Sequence, residues 1–158
     1  QVDRFMLKLK VDYPSDEEEM QILKRMGTSN GDIFMKSIVN PKTILNARAI
    51  VNEIYTDEKI ERYIVDLVLA TRSPERFGLG EISELISYGA SPRATIYLAK
   101  ASRARAFLQK RGYVIPEDVR YIAEDILRHR LILTYEAEAE EVTTEDLIQR
   151  LFDTIPVP

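Results

Sequence analysis

The sequence predicts a mainly α protein: a set of packed helices preceded by one short strand near the amino terminus. Apolar residues recur at helical spacing in successive segments from Pro41 to Ile155. Helix-start chemistry recurs as well, in Ser15 with Glu18 three residues on and in the pair Ser91-Pro92. Strict alternation of apolar and polar residues occurs once, in "RFMLKLKV".

In that stretch Phe5, Leu7, Leu9 and Val11 form one face and Met6, Lys8 and Lys10 the other, the pattern of a strand with one buried side. A lone strand leaves its backbone edges unpaired, so it must pair with something that the rest of the sequence does not obviously supply. Swapping or dimerisation through the open edge is a further expectation. Ser15 and Glu18 have capping-box spacing, and the acids Asp16 to Glu19 load the first turn of a helix expected over Asp16–Met26. Those acids lack the alternating ligands and glycine of a calcium loop.

A polar turn, "TSNGD", follows at 28–32. "PKTILNARAIVNEI" then places Ile44, Ala47, Val51 and Ile54 on one helical face, and "DEKIERYIVDLVLATR" does so with Ile60, Ile64, Leu67, Val68 and Thr71. "SPERFGLGE" breaks the pattern, and "EISELISYG" reads as a short helical piece ending at Gly89. The longest helix begins with Ser91 as N-cap and Pro92 in its first turn and is expected to reach about Arg111, with Ala94, Ala99, Ala101, Ala104 and Ala106 permitting close packing. "IPEDVRYIAEDILRHRL" predicts another helix with Val119, Ile122, Ala123, Ile126 and Leu127 inward, and "TTEDLIQRLFDTI" the last one. Between them "ILTYEAEAEEV" is open between a frayed helix and an extended arm.

Composition narrows the chemistry. The 158 residues include no cysteine and one histidine, His129, which leaves no thiolate nucleophile, no disulfide and little for a metal site. No apolar run approaches a bilayer span, so a soluble, cytoplasmic protein is expected. The net charge of −4 is uneven: residues 93–130 hold nine basic and four acidic side chains, and residues 131–158 one and seven. With acidic neighbours available to the basic third, non-specific nucleic-acid binding is not expected.

No phosphate-binding loop of the form GxxxxGK[ST] occurs, "GLG" at Gly78 to Gly80 lacks the rest of a dinucleotide fingerprint, and a single histidine assembles no nucleophilic triad. Two arginines stand out. Arg93 is at the second position of the longest helix, where the helix end already favours an anion and a cation gains nothing unless an anion sits between them. Local pattern leaves two readings open for it, a surface pair with a neighbouring carboxylate and a phosphate contact. Arg4, in "VDRF", is presented immediately before the strand, where a solvated or Asp-paired role is the ordinary one. Arg93, Lys100 and Arg111, flanked by Arg103 and Lys110, fall along one line of the long helix; such a ridge belongs to a solvated face or to a helical module that binds an acidic partner or nucleic acid. His129 fits a packing or helix-end role.

Three stretches, "QVDRFMLKLKVDYPSDEEE", "GASPRATIYLAKASRARAFLQKRGYVIPEDV" and "ILRHRLILTYEAEAE" with the terminal "VP", resemble the carboxyl-terminal half of a MoxR-family AAA+ ATPase over nearly the whole chain. The resemblance implies a helical-bundle AAA+ lid domain at 15–158, and a remnant of the α/β ATPase core, its last strand, at 1–14. It implies that Arg93, with Ser91 and Pro92, is the sensor-two site for the ATP γ-phosphate. Arg4 takes the position of an arginine finger reaching the neighbouring subunit's nucleotide, a contribution worth on the order of 10³ or more in rate in comparable systems. ATP and Mg2+ are then cofactors of the full-length parent, with none expected for this chain alone, since the phosphate loop, magnesium acids and first sensor would precede Gln1. Implied partners are neighbouring ATPase subunits in a homo-oligomeric ring, a hexamer being one form, and von Willebrand factor A domain proteins, in a chaperone-like role.

Overall fold

Side-chain oxygens set the helix starts of this chain, and the computed structural model, which describes residues 1–27 and 35–158, shows them doing so. The turn expected at 28–32 lies outside the described residues. Helix α1 spans Asp16–Met26, with Ser15 and Glu18 in a reciprocal capping box. Helix α2, Pro41–Glu53, is capped by Asn40, and α3, Glu58–Ala70, by Asp57. Helix α4 runs Pro92–Leu108 behind Ser91, α5 Pro116–Leu127, α6 Tyr135–Ala139 behind Thr134, and α7 Thr144–Thr154 behind a Thr143–Asp146 box.

The core lies where α3, α4, α5 and α7 meet. Ile60, Ile64, Leu67, Val68 and Thr71 all face inward, as their helical spacing predicts. Against them pack Leu98 and Ala101 of α4, Val119, Ala123, Ile126 and Leu127 of α5, and Leu147, Ile148 and Leu151 of α7. Alanine at 94, 101 and 106 is buried, which lets α4 approach its neighbours closely and makes it the central helix, in contact with α2, α3 and α5. Helix α2 sits at the margin: Ile54, just beyond its end, is buried, while Ile44 remains 50% exposed.

Four expectations are corrected. Residues 5–15 hold neither strand nor helix, and the inward side chain there is Met6, packed against the core, while Phe5, Leu9 and Val11 stay exposed. Alternation alone forms no strand where the described residues offer no partner edge. Residues 80–89 are not one helical piece: a 3-10 turn over Gly80–Leu85 gives way to strand β1, Ile86–Tyr88. That strand pairs antiparallel with β2, Ile132–Leu133, so the ambiguous 132–142 stretch divides into a strand and then α6. The long helix stops at Leu108, short of Arg111, because Lys110 takes a left-handed φ of 57°. The amide of Arg111 donates to Ala106 O at 2.9 Å and that of Lys110 to Phe107 O at 2.9 Å, a Schellman closure made without glycine.

Buried charge fixes the α4–α5 corner. Asp118 is 1% exposed and accepts both arms of Arg111, at 2.9 and 2.5 Å, together with the Ile115 amide at 3.0 Å. A fork-on-carboxylate pair with a backbone amide added to it is one of the few arrangements in which a buried ion is tolerated.

Leu67 is fully buried at the centre of α3. Leu67→Ala is expected to lower unfolding stability by about 2–5 kcal/mol, measured by chemical denaturation, and Leu67→Asp to abolish the cooperative transition. An unchanged midpoint for either would displace Leu67 from the core.

Candidate functional site

The start of α4 is held by the end of α3. Thr71 is 1% exposed; its hydroxyl donates to Val68 O at 2.7 Å and accepts the Ala90 amide at 2.9 Å. Between them Gly89 passes so close that a Cβ there would stand 2.2 Å from Thr71 O, a separation no side chain survives. The turn is thereby seated on α3, and Ser91 caps the new helix by accepting the Arg93 amide at 3.3 Å.

Within the first turn of the helix the backbone donors are already spent. Pro92 has no N–H, Arg93 N–H goes to Ser91 Oγ, and Ala94 N–H to Ser91 O at 2.9 Å. The side-chain donors offered to an anion are the Arg93 guanidinium and the Ser91 hydroxyl proton. Both are directed at one group, the carboxylate of Asp3: Arg93 Nη1 lies 3.1 Å from Oδ2, and Ser91 Oγ 3.1 Å from each oxygen. The anion that Arg93 calls for is thus supplied within the chain, from 90 residues away in sequence. The pair is open to water on both sides, with 49% of the Arg93 side chain and 38% of the Asp3 side chain exposed.

A second arginine, missed in the sequence, holds Asp3 from the other side. Arg130 is buried, with 1% of its side chain exposed. Its Nε donates to Asp3 Oδ1 at 3.1 Å, its Nη2 to Asp3 O at 2.8 Å and Phe5 O at 2.5 Å, and its Nη1 to Met6 O at 3.3 Å and to Ile126 O. Burial pushes the Arg130 pKa down, and Asp3 opposes that shift. The only forewarning in the sequence is the basic run "RHR" at the end of a helix, which reads equally well as solvated charge.

The same face grips the rest of the amino-terminal segment. Tyr97 OH donates to Arg4 O at 3.0 Å, Lys8 N–H to Asp125 O at 2.8 Å, and Arg128 Nη1 to Lys8 O at 3.2 Å. Arg4 itself is exposed, its guanidinium 5.7 Å from the Phe5 ring centre, and it forms no ion pair among the described residues. His129 takes the packing role expected of it: Nε2 lies 3.0 Å from Phe5 O, an acceptor, so Nε2 carries the proton and the buried Nδ1 does not.

The cationic line along α4 divides into separate pairs. Arg93 meets Asp3, Arg103 lies 3.8 Å from Glu61 and donates to Thr56 Oγ1 at 3.1 Å, and Arg111 is locked on Asp118. Only Lys100 and Lys110 of the five lack an ion pair among the described residues, too little for a phosphate-backbone track.

Comparison with known proteins places these features. Residues 81–151, which include the Ser91–Arg93 start, α5 and Arg130, match the AAA lid domain family. The chain is 39% identical over all its 158 residues to "Chaperone MoxR1" of Mycobacterium tuberculosis, covering 41% of that protein. It is 35% identical over 118 residues, 71% of the chain, to "Protein MoxR" of Methylorubrum extorquens, covering 34% of it. A crystal structure of a proposed ATPase from Cytophaga hutchinsonii superposes with a TM-score of 0.93 at 39% identity, over 99% of this chain and 48% of the other. The chain therefore spans less than half the length of these relatives.

Burial lowers the His129 pKa from its ordinary 6.5, helped by Arg130 and Lys8 and opposed by the Phe5 carbonyl and Asp3. The unfolded chain then takes up the proton more readily, so His129's contribution is fully present above about pH 6.5 and is lost as the pH falls below it. Melting temperatures are expected to decline over that window, and His129→Gln, which keeps a donor for Phe5 O, to flatten the decline. Glu145 and Asp146, held below their ordinary 4.5 and 3.8 by the Thr144 and Thr143 hydroxyls, act only at lower pH, so their loss is separable.

Proposed function

From the premise that the chain is a MoxR-type AAA+ chain carrying an AAA lid domain at residues 81–151, we propose that it is the nucleotide-sensing lid portion of a MoxR-type ATPase with a chaperone-like role. The observation that carries the proposal is Arg93: a half-exposed guanidinium at the capped start of the lid's central helix, seated by Thr71 and Gly89 and tethered, among the described residues, by a solvent-exposed ion pair.

The donor set fits a phosphate. A guanidinium and a hydroxyl proton already converge on one carboxylate, and a phosphate oxygen offers them the same chemistry with more charge. Exchange is inexpensive, because an exposed arginine–carboxylate pair is worth only about 0–1 kcal/mol. In this reading ATP with Mg2+, bound mainly by core residues outside this chain, supplies the phosphoryl group to be transferred. Arg93 leaves Asp3 to contact it, Ser91 and Pro92 fix where the helix start lies, and lid angle follows nucleotide state. Arg4, exposed beside the lid, is the finger offered to the neighbouring subunit's nucleotide.

Residues 1–14 are, in the same proposal, the last part of the ATPase core and residues 15–158 the lid. The exposed Phe5, Leu9 and Val11 support this, being the side chains an adjoining core would cover. The active form is a homo-oligomeric ring, with a hexamer as its simplest case, and von Willebrand factor A domain proteins are the partners the family resemblance suggests. Among the described residues no helix is long and apolar enough to cross a membrane, and we place the protein in the cytoplasm.

In the full-length protein Arg93→Ala is expected to lower ATP turnover on the order of 10²-fold, as removal of one charge-stabilising donor does elsewhere, with ring assembly intact by light scattering. Turnover within a factor of two of the unmutated protein would return Arg93 to the status of a surface cation.

A further inference from the structure

Arg130 has five N–H donors, and the structure assigns an acceptor to each: Asp3 Oδ1, Asp3 O, Phe5 O, Met6 O and Ile126 O. Arg4 lies between two of those carbonyls, and its own carbonyl is held by Tyr97 OH at 3.0 Å, with the Tyr97 ring centre 5.1 Å from the Arg130 guanidinium. The main chain that carries Arg4 is therefore fixed by the lid, although its side chain is exposed. Asp3 is common to both arginines: Oδ1 takes Arg130 and Oδ2 takes Arg93, with Ser91 donating between them.

We propose that Arg130 is a positioning residue which, through Asp3, couples the phosphate contact of Arg93 to the placement of Arg4. The coupling rests on the sensor and finger roles given above. Two cations share one carboxylate, so the cluster carries excess positive charge until a further anion arrives. When Arg93 turns to a phosphate, Arg130 is the one cation left on Asp3 among the described residues, and the segment holding Arg4 is gripped by an undivided charge. Buried Arg130 cannot follow, because its remaining donors are committed to main-chain carbonyls. The nucleotide of one subunit thereby sets the hold on the finger aimed at the next.

Two backbone amides report the grip directly, Phe5 N–H on Val2 O at 3.0 Å and Lys8 N–H on Asp125 O at 2.8 Å. Their hydrogen exchange would be followed in the full-length protein alongside the affinity for a magnesium-bound, imido-bridged ATP analogue. Asp3→Asn and Arg130→Lys are expected to speed exchange at both amides by about tenfold, the loss of one hydrogen bond to a charged group. Asp3→Asn is also expected to tighten analogue binding several-fold, a gain that a merely structural loss would not produce, whereas Arg93→Ala should weaken binding and, by leaving Asp3 to Arg130, slow exchange at both amides several-fold. If Arg130→Lys fails to fold, Asp3→Asn decides. Unchanged exchange or unimproved affinity in Asp3→Asn, with binding still dependent on Arg93, would overturn the coupling alone. Affinity indifferent to Arg93→Ala would overturn the sensor reading and the coupling with it.

Discussion

A guanidinium that is 1% exposed cannot stand without acceptors, and the placement of the amino-terminal segment follows from that need. Arg130 sits just past the end of α5, where α5 supplies one carbonyl, Ile126 O. Every other acceptor must come from elsewhere, and residues 3–6 provide them by turning three main-chain oxygens and the Asp3 carboxylate inward. A segment that spends its carbonyls in this way cannot also use them in a strand ladder. Residues 3–6 are accordingly no part of a ladder, and Met6, on the face expected to be solvated, is the residue that packs.

Helix α4 transmits the same constraint. Its small inward side chains bring it close to α3 and α5, and its amino end is fixed by Thr71 and by the missing Cβ of Gly89. Its carboxyl end is fixed by Arg111 on Asp118. Between those anchors the helix is a rigid rod, so Arg93, Tyr97 and Arg103 are presented at set positions. Tyr97 lies one turn beyond Arg93 and holds the main chain of Arg4, the residue next to the Asp3 that Arg93 meets.

What was legible in the sequence is what local chemistry decides. The limits of α1 follow from Ser15 and Glu18, the buried face of α3 from its spacing, and the start of α4 from Ser91-Pro92. Each of those signals acts over a few residues. What escaped depends on partners far away: β1 and β2 exist only because residues 86–88 meet 132–133, and α4 ends at a non-glycine left-handed residue that composition does not mark. The site was half visible. Arg4, Ser91 and Arg93 could be named, but Asp3 and Arg130, which join them, are 127 residues apart and carry no motif.

That gap explains why the position of Arg93 admitted two local readings, a carboxylate pair and a phosphate contact. The structure contains the carboxylate pair, which under the proposed function is the resting state of the phosphate contact. A bare guanidinium at a helix start, repelled by the helix end and by buried Arg130, would be costly to hold in place. Asp3 relieves that repulsion while remaining weakly bound to Arg93, because water reaches both groups. Its bond to Arg130 is the durable one, reinforced by a main-chain carbonyl of the same residue. A carboxylate held firmly on one side and loosely on the other keeps Arg93 oriented and releasable at once, as the proposed sensing of an anion would require.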